Sequence, residues 1–218
     1  MGQVLIVRHG QADTVGDDYD RLVERGFAQC RALGASLATR GVTVDRVVRG
    51  GMRRHRESAE ALIEGMGSAP EVGVDRGWDE FDHLAVLARE PYSGPPPTGR
   101  VFQQWFEAAV LRWTSGADAN YPETFIEFTQ RVGGALQRAA ESDGTTMVVT
   151  SGGAIGWVAA QLTGSDFGAE RQAALWRTFN MVCANSGLTR VVSGRRGLSL
   201  VSFNEQAHLD GTDLLTYR

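Results

Sequence analysis

Apolar positions along this chain fall into short unbroken runs that alternate with longer, one-sided stripes. The first run, Val4 to Val7, is apolar at every position and closes on Arg8, His9 and Gly10. An unbroken run of that length ended by glycine predicts a strand buried on both faces. DTVGDDYDR, residues 13–21, has loop composition. Phe27, Cys30, Leu33 and Leu37 then recur at helical spacing, and Gly41 closes that helix. Val44, Val47 and Val48 predict a second strand, and a helix from Met52 carries Ala59, Leu62, Ile63 and Met66. Glu71 to Val74 predict a third strand, leading into WDEFDH. YSGPPPTG, residues 92–99, reads as a loop before an aromatic helix with Val101, Phe102, Trp105, Phe106 and Trp113, a stripe that more often packs in a core than lines a ligand site. Thr124 to Glu141 predict a further helix. TTMVVTSGG then repeats the opening theme of a buried strand ending in glycines, with a helix starting near Ala154. LTRVV, SGRRG and LSLVSF predict a hairpin. Strands alternating with helices imply a three-layer α/β/α fold whose sheet is mostly parallel with an antiparallel edge.

At 218 residues, the chain is expected to form a single domain over 1–218. Its 22 Lys and Arg against 26 Asp and Glu give a formal charge of −4, so no basic field covers the molecule and neither nucleic acid nor an anionic membrane is an expected partner. The only two cysteines, Cys30 and Cys183, form no metal-spaced pair and no disulfide framework. With no basic leader before the first strand and no apolar run of about 20 residues, a cytoplasmic protein is expected. A homodimer is compatible with these features.

The chemistry gathers at strand ends and helix starts. Arg8 beside His9, at the carboxyl end of a buried strand, is a phosphate-handling pair: a guanidinium can fork onto phosphate oxygens, and a neutral imidazole can attack phosphorus. Arg54 opens the second helix in a turn crowded by Arg53, His55 and Arg56, which a merely solvated face would also explain. Glu80 follows the third strand, with Asp82 close behind as a weaker candidate. Ser151, Gly152 and Gly153 follow the strand at 145–150, where a helix start offers N–H groups to an anion. No metal-ligand set is evident, and no cofactor is expected.

Taken in order, these segments resemble the histidine phosphatase superfamily, also called phosphoglycerate mutase-like. VRHGQA resembles its signature strand, and ERGFAQCRALGASLA is similar to the helix that follows. RGGMRRHRESAEAL resembles its second arginine segment, DRGWDEF the segment holding the proton donor, and FNEQAHL another family landmark. The resemblance implies that His9 is a phosphorylated nucleophile, that Arg8 and Arg54 clamp the phosphoryl group, and that Glu80 protonates the leaving oxygen. The expected substrate is a small phosphate ester or a phosphoprotein, and the segment around 84–113 is expected to cap the pocket. A transition state that spreads charge over equatorial oxygens needs such fixed guanidinium donors.

One position departs from the family pattern. Where a histidine usually precedes the glycines, this chain has Ser151, whose hydroxyl brings one donor and no charge. Weaker catalysis is the expected consequence, with Ser151 and Gly152 still contacting phosphate. As a plain helix cap, Ser151 would have no catalytic meaning. His83 is a candidate substitute donor, and His208 reads as structural. If the histidine were merely missing, Ser151→His should raise the rate. Two rivals to a phosphatase remain: a phosphate- or phosphoprotein-binding module, and a mutase-like phosphotransferase, whose longer substrate signature the acidic stretch after RHGQA does not resemble.

Overall fold

The computed structural model describes residues 2–13, 20–68, 70–116 and 120–217. Residues 14–19 of the acidic loop therefore lie outside the described residues. The first apolar run forms β1 (Gly2–Arg8), in which Val4, Leu5, Ile6 and Val7 are all fully buried. Successive strand residues point to opposite faces, so both faces of β1 must be covered. Val4 and Ile6 join a large cluster that includes Phe128, Val132, Ala154 and Trp176, while Leu5 and Val7 join a second cluster with Cys30, Leu33, Leu37 and Leu62. These two clusters are the inner faces of the two helical layers.

The layer on the Leu5 and Val7 side consists of α1 (Glu24–Thr39) and α2 (Arg53–Met66), the two stripes expected from the spacing of apolar residues. Between them runs β2 (Arg46–Arg49), and β3 (Glu71–Val74) follows α2. All four residues of β3 are exposed, as an edge strand covered on neither face would be. The other layer contains α5 (Phe125–Ala140) and α6 (Gly152–Thr163), on either side of β4 (Thr145–Thr150). Thr124 and Glu141, expected as the ends of a helix, are its caps: the Thr124 side chain and the Glu127 side chain close a capping box around the first turn.

The sheet runs β3-β2-β4-β1-β5-β6, with β5 (Leu188–Gly194) and β6 (Gly197–Glu205) forming the expected hairpin. β3, β2, β4 and β1 are mutually parallel, and β5 pairs antiparallel with β1 and with β6. The carboxyl ends of β2, β4 and β1 consequently lie side by side at one end of the sheet, the place where such sheets bind ligands.

Between β3 and α5 lie a short α3 (His83–Leu87) and the aromatic helix α4 (Gly99–Ser115). The aromatic stripe divides: Trp113 is buried among Phe81, Phe125 and Trp176, whereas Phe102 is exposed. A seventh helix, α7 (Ala169–Val182), was not expected. Only Ala173 and Trp176 on it are buried, so its apolar stripe is too narrow to stand out in the sequence. No helix among the described residues is long and apolar enough to cross a membrane.

Candidate active site

β1 delivers Arg8 and His9 to the carboxyl edge of the sheet, and the neighbouring strand brings Ser151 beside them: the His9 N–H donates to the Thr150 carbonyl at 2.8 Å. The His9 ring is buried, and its Nδ1 lies 2.7 Å from the Gly10 carbonyl oxygen. A carbonyl only accepts, so Nδ1 carries the proton and Nε2 keeps its lone pair. Burial, and then the charges of Arg54 and Arg8, hold the His9 pKa well below its ordinary value, so the ring is neutral.

Both arginines come to the same place from different elements. Arg8 donates through Nη1 to the Cys183 carbonyl, just beyond α7, and its Nε would lie 3.7 Å from a Cβ placed on Gly152. Arg54, in the first turn of α2, is buried and donates to Asp20 Oδ1 at 2.8 Å. The Asp20 carboxylate also accepts the backbone N–H of Arg53 at 2.7 Å, so it anchors the start of α2 while holding Arg54. A solvated face does not describe this turn: Arg54, His55, Glu57 and Ser58 are all buried. The charged side chains of Arg53 and Arg56 take the solvent side.

Glu80 is half-buried, and its carboxyl is tied to the backbone. Its Oε2 accepts the Gly153 N–H at 2.9 Å, in the first turn of α6, and Oε1 accepts the Phe81 N–H at 3.1 Å. Only glycine allows this approach, since a Cβ on Gly153 would lie 2.2 Å from Oε1. Burial raises the Glu80 pKa, and those two N–H groups with the charges of Arg54 and Arg8 only partly oppose it. Arg8 and Arg54 thus act on His9 and Glu80 alike, which places all four groups around one space.

Asp82, the weaker acid candidate, is exposed and spends its carboxylate accepting the N–H groups of Leu84 and Ala85 at 3.0 Å, as the N-cap of α3. His83 is half-buried at the start of α3, where the Arg54 charge is felt. His208 is bonded through Nε2 to Ser186 Oγ at 2.8 Å, in the short turn Ala207–Leu209.

Ser151 requires a correction. It stands at the N-cap position of α6 but makes no capping hydrogen bond; its Oγ lies 2.7 Å from Nε2 of His55. His55, read from sequence as one more member of a crowded charged turn, is fully buried, and its ring centroid is 5.9 Å from that of His9. The space an imidazole at position 151 would need is therefore already occupied. Ser151→His in the parent chain is expected to clash rather than to help, contrary to the expectation from sequence. Asp20 and His55 were both missed as site residues. Asp20 looked like loop composition, and nothing local distinguishes His55 from its solvated neighbours.

Arg8 also lines a cleft of about 810 Å³ between α4 and α7. Phe106, Val110, Arg177, Asn180 and Tyr217 are among its walls, so it offers both apolar surface and polar groups. Among the described residues, no group of three or more His, Cys, Asp or Glu side chains is arranged to hold a metal ion.

A family model described as the histidine phosphatase superfamily (branch 1) matches residues 4–206. No curated protein matches the sequence. Among solved structures, YhfR of Bacillus stearothermophilus is similar at a TM-score of 0.70 and 18% identity, over 96% of this chain and 100% of that one. A mutant phosphoserine phosphatase from Entamoeba histolytica in complex with phosphoserine is similar at 0.68 and 16% identity, over 96% and 100%. A mycobacterial glucosyl-3-phosphoglycerate phosphatase, in complex with inorganic phosphate, is similar at 0.62 and 22% identity, over 94% and 98%. At these identities the likenesses establish a shared fold.

Proposed function

Because this chain belongs to the histidine phosphatase superfamily, branch 1, we propose that it hydrolyses a phosphate monoester through a phosphohistidine at His9. His9 Nε2 attacks phosphorus while the bond to the ester oxygen breaks, and Glu80 gives its proton to that departing oxygen. Water then attacks the phosphohistidine, Glu80 takes a proton from it, and inorganic phosphate leaves with Nε2 restored. Arg8, Arg54 and the N–H of Gly152 at the start of α6 meet the charge on the equatorial oxygens, a task that needs no metal. The similar phosphatases named above support the reaction class, and the cleft between α4 and α7 is suited to hold the leaving group. The two free, buried cysteines fit a cytoplasmic setting.

The observation that carries this reading is the geometry at His9, a buried imidazole whose Nδ1 is committed to the Gly10 carbonyl, with a backbone-tied Glu80 carboxyl held at the start of α6. The two pKa shifts run the way that geometry requires. The mechanism needs His9 neutral and Glu80 protonated at the same pH. At their ordinary values of 6.5 and 4.5, no pH provides both forms in quantity. The site lowers the first and raises the second, which brings the two required forms toward a common pH. The expected pH profile of kcat/KM is a bell. Its acid arm appears where His9 takes up a proton, below the usual imidazole range, and its alkaline arm appears where Glu80 loses one, above the usual carboxyl range. A rate that climbs through pH 6.5 as an ordinary imidazole loses its proton would contradict it.

Turnover of p-nitrophenyl phosphate, measured with EDTA present throughout, tests the activity itself. Steady release of phosphate is expected at a rate that EDTA does not change. Phosphate binding without turnover would favour a binding module, and transfer to an added alcohol in place of water would favour a phosphotransferase.

A further inference from the structure

We infer that His55 and Ser151 work as one unit, in which the buried imidazole orients and polarises the serine hydroxyl so that it donates to the phosphoryl group held at His9. The inference rests on the phosphatase reading. His55 is a positioning residue, and Ser151 is the group that meets the substrate.

Ser151 Oγ has 2.7 Å contact with His55 Nε2 and makes no cap to α6, so its rotamer is set by the imidazole. The other ring nitrogen, Nδ1, has no hydrogen-bond partner among the described residues. Burial, then the charges of Arg54 and Arg49, keep the ring neutral, so one proton serves two nitrogens. Placed on Nδ1, that proton would be a buried donor without an acceptor. Placed on Nε2, it donates to Ser151 Oγ, and only a bare lone pair is left unmet, the less costly arrangement. The hydroxyl then has its own hydrogen to give, and an O–H that is already accepting is a stronger donor.

That hydrogen has the phosphoryl site within reach. Ser151 directly follows Thr150, whose carbonyl accepts the His9 N–H at 2.8 Å, and the rings of His9 and His55 are 5.9 Å apart. The surroundings are shaped to admit the imidazole. A Cβ on Gly50 would lie 2.2 Å from His55 Nδ1, so glycine at the end of β2 is what lets the ring lie there. An apolar side chain would fill this buried space without stranding a nitrogen. A histidine held there at that cost, aimed at a site hydroxyl, is better explained by what it does for the hydroxyl than by packing. The position that family resemblance assigns to a histidine thus keeps an imidazole, reached from α2 and relayed through a serine.

The test is a four-protein cycle of the parent, His55→Ala, Ser151→His and the double variant. Two readouts are used: kcat/KM for p-nitrophenyl phosphate and affinity for inorganic phosphate by calorimetry. Each single variant is expected to lose about tenfold or more in kcat/KM, the value of one well-placed hydrogen bond, and to bind phosphate more weakly. The double variant should recover to within a few-fold of the parent, because an imidazole from position 151 then enters the space His55 has left. Losses that multiply in the double variant would overturn the unit. If His55→Ala does not fold, His55→Gln and His55→Leu replace it. The amide keeps a donor for Ser151 and should retain most activity, and leucine should not; equal rates for the two would overturn the proposal. Phosphate affinity separates this inference from the phosphatase reading. No turnover in any protein, with the recovery pattern intact in phosphate affinity, removes the phosphatase and keeps the unit. Turnover with multiplying losses keeps the phosphatase and removes the unit. A parent that binds no phosphate removes both.

Discussion

His9→Ala should abolish turnover, with kcat/KM falling about 10⁴-fold or more, because no other side chain among the described residues is placed to take over the nucleophile's role. His9 is buried with its Nδ1 proton committed to the Gly10 carbonyl, so Nε2 is the atom with a lone pair for the attack on phosphorus in the proposed reaction. The other rings do not replace it: His55 has its Nε2 on Ser151, and His83 belongs to the first turn of α3. Brief reaction with a labelled aryl phosphate, followed by denaturation, should trap an adduct that is lost in acid and survives alkali. Label recovered on Ser151 as an alkali-labile ester, or a His9→Ala protein as fast as the parent, would show that the nucleophile has been misassigned.

Arg54→Ala should be the most damaging loss among the charged residues of its turn, at about 2–4 kcal/mol of transition-state stabilisation, or roughly 10²–10³ in kcat/KM. The size follows from burial. A guanidinium held out of water by the start of α2, with Asp20 fixing its direction at 2.8 Å, is preorganised for the charge that develops on the phosphoryl oxygens. Its removal also takes one positive charge away from His9 and Glu80, which should let both pKa values rise and move the bell-shaped profile toward alkali. Arg53, one residue earlier, is the internal control. It is 41% exposed and pairs with Glu57 across one helical turn, so Arg53→Ala should change kcat/KM by less than about threefold. Comparable losses from the two substitutions would place the phosphoryl group somewhere other than between β1 and α2.

Much of this molecule is legible in its local pattern. Val4 to Val7 read as a strand covered on both faces, because every residue in the run is apolar, and the stripes of α1, α2 and α5 repeat at 3.6 residues, α5 behind a capping box at Thr124. Where those elements end in Arg8, His9, Arg54, Glu80 and Ser151, the residue types announce phosphate chemistry, since strand ends in a parallel sheet converge whatever loops join them. The helix α7 escaped because only Ala173 and Trp176 on it are buried, and a two-residue stripe carries almost no periodicity.

What lies across space could be settled only by the fold. Arg53, Arg54, His55 and Arg56 form an undivided basic run in the chain, yet one helical turn sends Arg54 and His55 inward and leaves the other two in solvent. Asp20 and Arg54 are 34 positions apart, and His55 and Ser151 are 96 apart. No periodicity links such pairs, because each is made by two elements meeting at the edge of the sheet. The chain's own pattern was enough to specify a mostly parallel sheet with a buried centre and an antiparallel edge, as burial and pleat act within a few residues. The imidazole behind the serine depended on α2 docking beside β4, and that contact exists only once both helical layers have closed over the sheet.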